Sequence, residues 1–302
     1  MDEVAHHHPR LDRAALRRLG TASDRAGLVR LAGHLGALAA SGGLIAATAG
    51  GWLLLPAMAL HGWLLVFLFA PLHESLHRTA FRRRWLNDAV ARACGFLLLL
   101  PADDFRFFHF AHHRHTQDPA SDPELARPKP SSMAAWLIHV TGLPLWTAAV
   151  GGLLRHAAGR AAEPYLAARG RSTVVVEARL HLLFYGLLGT TALAAGSAAP
   201  LVYWVLPALL GQPWLRLFLL AEHTGCALGR DMLTNSRTTL TNPVLRYFAW
   251  NMPYHAEHHA FPAVPFHALP AVHREVHGDL GAMSRGYFAV QRKIIAGFAR
   301  PR

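Results

Sequence analysis

The sequence predicts an all-α integral membrane protein. Its expected architecture is four transmembrane helices, further helices lying in the membrane surface, and a cytoplasmic His-rich cap able to bind metal. Three observations lead there. Of 302 residues, 52% are hydrophobic and only 16% charged, against roughly 25% charge in an average soluble domain. Two stretches, 31–72 and 180–215, contain no Asp, Glu, Lys or Arg. Finally, the chain carries 21 histidines, many of them in tight clusters.

Each uncharged stretch is long enough for two helices of about 18–20 residues, the length that crosses a bilayer core. Gly50-Gly51 divides the first and the Gly196–Pro200 segment divides the second. The expected spans are therefore about 30–49, 52–72, 180–196 and 200–221. Residues 1–26 form a basic cytoplasmic N-terminal segment, and 27–302 form a single membrane domain. Arg10, Arg13, Arg17, Arg18, Arg25 and Arg30 precede the first span, and Arg78, Arg82, Arg83 and Arg84 follow the second. The two outer turns carry no charge. This positive-inside asymmetry places both termini in the cytoplasm, the bacterial inner membrane being the expected setting. The net charge of +12 is thus topogenic, and it favours anionic lipid headgroups rather than nucleic acid.

Two further apolar segments stay on the surface. Residues 89–101 are too short to cross. Residues 131–154 have the length, but a crossing there would export the 155–179 loop with its arginines and separate later histidines from earlier ones. Both are expected as helices in the interface plane. Cys94 and Cys226 are far apart and outside any CxxC pattern, so neither a disulfide framework nor a cysteine metal site is expected. The charged, His-rich start, with His6-His7-His8, does not read as a cleaved signal peptide.

The chemistry lies in histidine spacing. His73-Glu74-Ser75-Leu76-His77, read alone, is HExxH, a zinc-protease signature. Two HxxHH boxes follow, His109/His112/His113 and His255/His258/His259. On a helix, positions i, i+3 and i+4 share a face, so each such box offers three imidazoles to one small volume. His223 stands at the cytoplasmic end of the last span. The nine together exceed what one zinc takes, three protein ligands and an open place. They suit two metals of higher coordination, and imidazole alone does not name the metal. His34 and His61 read as polar residues within apolar helices. His139, His156, His181, His273 and His277 lack box partners, while His115 and His267 stand near enough to a box to be supporting groups.

The three boxes, in this order and with apolar hairpins before the first and between the second and third, resemble the membrane fatty acid desaturase/hydroxylase superfamily. The stretch "NMPYHAEHHAFPAVPFHALP" is similar to that family's third-box region, and the resemblance spans about residues 50–275. It implies two iron ions bound by His73, His77, His109, His112, His113, His223, His255, His258 and His259, with O2 as co-substrate. Asn251 is then a water-mediated or supporting group. Glu74, Glu222, Glu257, Asp118 and His115 become candidates to orient the imidazoles, the usual role of carboxylates behind metal ligands.

Breaking an aliphatic C–H bond requires an oxidant stronger than any side chain, so the cofactor carries the reaction and the protein positions the target carbon. The implied activity is insertion of a double bond into a fatty acyl chain, lipid-linked or carrier-linked; HxxxH in the first box is similar to acyl-lipid desaturases. The alternatives are a lipid or carotenoid hydroxylase or ketolase of the same superfamily and, more distantly, a membrane zinc peptidase. A metal transporter would need polar groups along the spans, which the sequence largely lacks. No GxGxxG after a strand, CxxC pattern or fused cytochrome domain is present. Electrons are therefore expected from a separate ferredoxin, rubredoxin or cytochrome, docking on arginines such as 82–84, 155, 160, 169 and 171.

Overall fold

A computed structural model describes residues 11–298; His6-His7-His8 and Arg10 lie outside the described residues. The chain is mostly helical. Helix α1 (Arg13–Leu19) is capped by the Asp12 carboxylate, and α2 (Asp24–Ala47) by the Ser23 hydroxyl. After the Gly50-Gly51 turn come α3 (Leu54–Val66) and α4 (Phe69–Leu76), together one 23-residue apolar rod. Next are α5 (Arg84–Leu98), α6 (Ala102–His115), α7 (Met133–Val140), α8 (Leu143–Ala157) and α9 (Arg171–Ala194). A π-helical turn at Leu201–Val205 leads into α10 (Leu206–His223). The C-terminal part is built from short pieces: α11 (Met232–Asn235), β1 (Thr238–Leu240), α12 (Pro243–Phe248), α13 (His255–Ala260), α14 (Leu269–Val276), β2 (Met283–Arg285) and α15 (Tyr287–Gly297).

Three helical rods are long and apolar enough to cross a membrane: Asp24–Ala47, Leu54–Leu76 and Leu201–His223. The fourth expected span, 180–196, falls on α9, whose 24 residues have the length but include Arg171, Glu177 and Arg179, so its apolarity is lower. Helices α7 and α8, of 8 and 15 residues, are each too short to cross alone and meet at a bend of 55°. Helix α5 covers most of the expected surface segment 89–101 and is capped by Leu99 in the left-handed conformation (φ 53°).

The membrane rods pack through small residues. A Cβ placed on Gly62 of α3 would sit 1.9 Å from the carbonyl oxygen of Pro207, and one on Gly211 of α10 would sit 2.2 Å from that of Gly62. Apolar side chains gain nothing from leaving lipid for one another, so close backbone approach is what joins helices in a bilayer. Around this seam lies a core of Leu65, Val66, Phe67, Leu68, Leu215 and Phe218. Two histidines within the rods bridge neighbouring helices: His34 Nε2 meets the Leu64 carbonyl at 2.9 Å, and His61 Nδ1 meets Ser41 Oγ at 2.7 Å.

Below the rods sits a second core built from Leu233, Tyr254, Phe261, Leu269, Val272 and Val276, against which Leu11, Leu16 and Leu19 also pack. The described part of the basic N-terminal segment therefore packs on this second core. Strands β1 and β2 pair in parallel, Thr238 opposite Met283 and Leu240 opposite Arg285. The N-terminus of α6 is capped across space: both Glu177 carboxylate oxygens accept backbone N–H groups, from Ala102 (3.0 Å) and Asp103 (2.7 Å).

Candidate metal centre

Four helices deliver histidine to one place. His73 and His77 end α4, His109, His112 and His113 lie in the second half of α6, His223 ends α10, and His255, His258 and His259 lie on α13. A reverse turn aims α13: Trp250 and Asn251 both take left-handed backbone (φ 49° and 60°), and Asn251 Nδ2 donates to the Phe266 carbonyl at 2.9 Å.

The rings sort into two adjoining groups able to hold a metal ion each. His73, His77, His109, His113 and His258 form one, and His112, His223 and His259 form the other, with the ligand atoms of each group within 4.8 Å of one another. His255 lies beside the second, its Nε2 2.9 Å from that of His223. Helical geometry explains the division. In α6 the i, i+4 pair His109/His113 turns to the first group and His112 to the second. In α13 the i, i+4 pair His255/His259 turns to the second and His258 to the first. Successive residues are about 100° apart around a helix, so an HxxHH box straddles two points rather than crowding one. The groups touch where His113 stacks on His259, centroids 4.1 Å apart.

Whether metal ions fit is decided by the nitrogens. His77 and His109 Nε2 are 2.7 Å apart, His112 and His223 Nε2 3.1 Å, and His258 and His113 Nε2 3.3 Å. Two nitrogens bound at about 2.1 Å and at right angles on one ion are about 3.0 Å apart, so these separations match the edges of a coordination polyhedron. Both ring nitrogens of His73, and Nε2 of His259, are buried with no hydrogen-bond partner, a costly state that a cation relieves. Burial first, then the surrounding imidazoles, holds the pKa values of His109, His113, His255, His258 and His259 well below the ordinary range. Neutral imidazole is the form a metal needs. The residues fit a pair of metal ions.

The outer groups differ in part from expectation. Asp118 does not orient a ligand; its carboxylate accepts from the Ala120 N–H. Asp122 takes that place, its Oδ1 2.9 Å from His112 Nδ1, which leaves His112 Nε2 facing the group. Burial disfavours protonation of His112, but Glu124 and Asp122 outweigh it and raise its pKa. Glu74 touches no imidazole either: Oε1 accepts from the Thr79 hydroxyl at 2.6 Å and the Phe266 N–H at 2.9 Å. Glu257 serves Thr238 and His273 rather than a box residue. Glu222 Oε1 comes within 3.3 Å of His255 Nδ1. Asn251 holds the third-box loop through Phe266, and His115 lies with Arg114, Asp118 and Arg230 around a separate 220 Å³ hollow.

Sequence reasoning missed three supports besides Asp122. Asn235 accepts from His223 Nδ1 through its carbonyl (3.2 Å), Thr116 Oγ1 lies 3.2 Å from His259 Nδ1, and Gln117 Nε2 donates to the His223 carbonyl at 2.8 Å. Backbone carbonyls and lone hydroxyls leave no spacing pattern. Asp122 was hidden because Asp-Pro reads as a cap, and it does cap, accepting from Glu124 N at 2.9 Å.

An apolar helical body carrying two abutting, buried imidazole groups at the shared ends of its rods defines a membrane-type protein with a multi-histidine site able to hold metal. The fatty acid desaturase family model matches residues 50–291, and the chain belongs to the fatty acid desaturase family. It is similar to the sn-1 oleoyl-lipid 12-desaturase of Picosynechococcus sp., 25% identical over 76% of this chain and 71% of the relative. The enzyme of the same name from Synechocystis sp. is 26% identical over 50% of this chain and 45% of the relative. The sphingolipid delta(4)-desaturase/C4-monooxygenase of Mus musculus is 26% identical over 74% of this chain and 65% of that protein. The chain is an oxidoreductase of the desaturase or hydroxylase kind, acting as a fatty acyl desaturase. The peptidase alternative falls away, since Glu74 is committed to Thr79 and Phe266 and its two histidines sit in a group of five.

Proposed function

We propose that the enzyme inserts a double bond into the acyl chain of a membrane lipid at two irons, consuming O2 and electrons from a separate carrier. In this reading the nine histidines are the ligands: five hold one iron, and His112, His223, His255 and His259 hold the other. The observation that carries it is the division of nine imidazoles into two abutting groups with ligand-edge separations. The iron pair, when bound, supplies the oxidising power for removing hydrogen from an unactivated C–H bond. The chain's own residues do the rest. Asp122 fixes the His112 tautomer, and the Asn235 carbonyl does the same for His223. Phe69 and Phe105, with ring centroids 6.1 Å from His73 and 5.6 Å from His109, keep water from the first group on its membrane side.

We place four crossings in the bilayer, with α9 as the fourth and α7–α8 in the surface. Support comes from α9, where Leu183, Phe184, Leu187 and Leu193 are exposed, as a lipid-facing helix requires. Both termini and the metal site then lie in the cytoplasm. A second reading, hydroxylation, draws on the dual desaturase/monooxygenase name of the mouse relative. Supplying 18O2 to the purified enzyme with an acyl-lipid substrate separates them: a desaturase yields an unlabelled alkene, a hydroxylase a labelled alcohol. Metal analysis of the same preparation should give two irons, and His258→Ala should bind less than the full pair and lose activity. One zinc, with activity surviving the removal of O2, would end the reading.

A further inference from the structure

A groove lined by none of the nine box histidines has no place in the chemistry above. It is a 560 Å³ cavity whose lining includes Arg30 of α2, Arg246 and Tyr247 of α12, Tyr254, and His273 and Arg274 of α14. Three guanidiniums line it and no carboxylate does. Among the described residues none of the three forms an ion pair, whereas Arg78, Arg83, Arg92, Arg106 and Arg155 all do. Two of the three are held in place. Arg30 Nη1 donates to the Tyr247 carbonyl at 2.8 Å and lies 4.4 Å over the Tyr247 ring, and Arg246 Nη1 donates to the Tyr254 hydroxyl at 3.2 Å. Like charges gathered without a counter-charge repel one another, so the arrangement is stabilised by an anion.

The depth of the groove selects which anion. Arg30 lies within the first apolar rod, directly after Leu28 and Val29, which are 46% and 64% exposed. Helix α12 runs beside that rod: the Tyr247 hydroxyl rests where a Cβ on Gly33 would come within 2.0 Å of it, and Phe248 packs against His34 at 5.2 Å. Val244, on the same helix, is 60% exposed. Exposed aliphatic side chains beside arginines and tyrosines mark the layer where hydrocarbon meets headgroups. A molecule fitting this groove carries a negative phosphate on a hydrocarbon tail.

We propose that the cleft between α2, α12 and α14 is a binding site for the phosphate headgroup of an anionic phospholipid, contacted by Arg30, Arg246 and Arg274. Basic pockets beside membrane helices capture such headgroups, and guanidinium matches phosphate in a two-point fork. The site is independent of the reaction assigned to the metal centre.

The full-length protein in nanodiscs tests it. Native mass spectrometry should show preferential retention of phosphatidylglycerol over phosphatidylcholine. Arg246→Ala/Arg274→Ala should weaken that retention by about fivefold per arginine, while the control Arg169→Ala/Arg171→Ala leaves it intact. Equal retention of the two lipids, or equal loss in the control pair, would overturn the assignment. Complete competition by inorganic phosphate at the lipid's own concentration would make this a free-anion site and also overturn it. Should the double variant fail to fold, hydrogen exchange on the unaltered protein decides: residues 243–248 and 269–276 should be slowed in phosphatidylglycerol relative to phosphatidylcholine, and no difference refutes the site.

Discussion

His112 shows how one residue depends on its partners. Asp122 holds its Nδ1 side, so the Nε2 side is presented to His223. Removing that hold should loosen the metal rather than unfold the protein. Asp122→Asn should therefore lower metal affinity about 10–100-fold, the usual cost of losing such a partner, read by competition with a chelator while the melting temperature stays nearly constant. The histidines also set a pH response in metal-free protein. His109, His113, His255, His258 and His259 have folded pKa values well below 6.5, so below about pH 6.5 the unfolded chain binds protons that the folded chain refuses. Stability present above that pH is lost as pH falls, by up to about 1.4 kcal/mol per unit for each such residue. His112, with a raised pKa, opposes this but is outnumbered. Melting curves of the apo protein from pH 8 to 5 should fall, and the metal-loaded protein should fall later.

At the scale of elements, the rods are joined by absence of side chains. Gly62→Val drives atoms into the Pro207 carbonyl, which is backbone and cannot swing aside. It should cost about 3 kcal/mol or more and appear as loss of the monodisperse peak in detergent. Gly186→Ala in α9, with nothing within 4 Å of the added carbon, should be neutral. The helix boxes were legible in the sequence because HxxxH and HxxHH encode side-chain direction directly. The carboxylates behind them were not: Asp118 and Asp122 are four residues apart, both beside turns, and only the fold decides which one meets His112. Glu74 was misleading for a related reason, since its partner Phe266 is 192 positions distant.

For the whole molecule, apolar block length and arginine placement revealed the rods, and residues 31–72 divided in the structure close to where Gly50-Gly51 predicted. The C-terminal assembly was not foreseeable, because helices of four to eight residues and three-residue strands lack the periodicity that pattern reading needs. Sidedness makes the broadest prediction. In the proposed topology, single cysteines at Trp52 and Ser197, both exposed in the turns between rods, should react with a membrane-impermeant maleimide in intact cells, and one at Arg160 should react only after lysis. Labelling of all three in intact cells would invert or break the four-crossing arrangement.

The short parallel pairing of β1 with β2 reaches beyond its size. Residues 241–282 leave one strand and return beside it, so the entire third box hangs in a sac whose drawstring is six residues of ladder. Whatever slackens that knot, including unravelling of the α15 tail that follows it, lets three of the nine rings drift. If the two-iron reading holds, fraying of the last helix should therefore quicken metal loss, an effect readable as a faster chelator-driven release after truncation within α15.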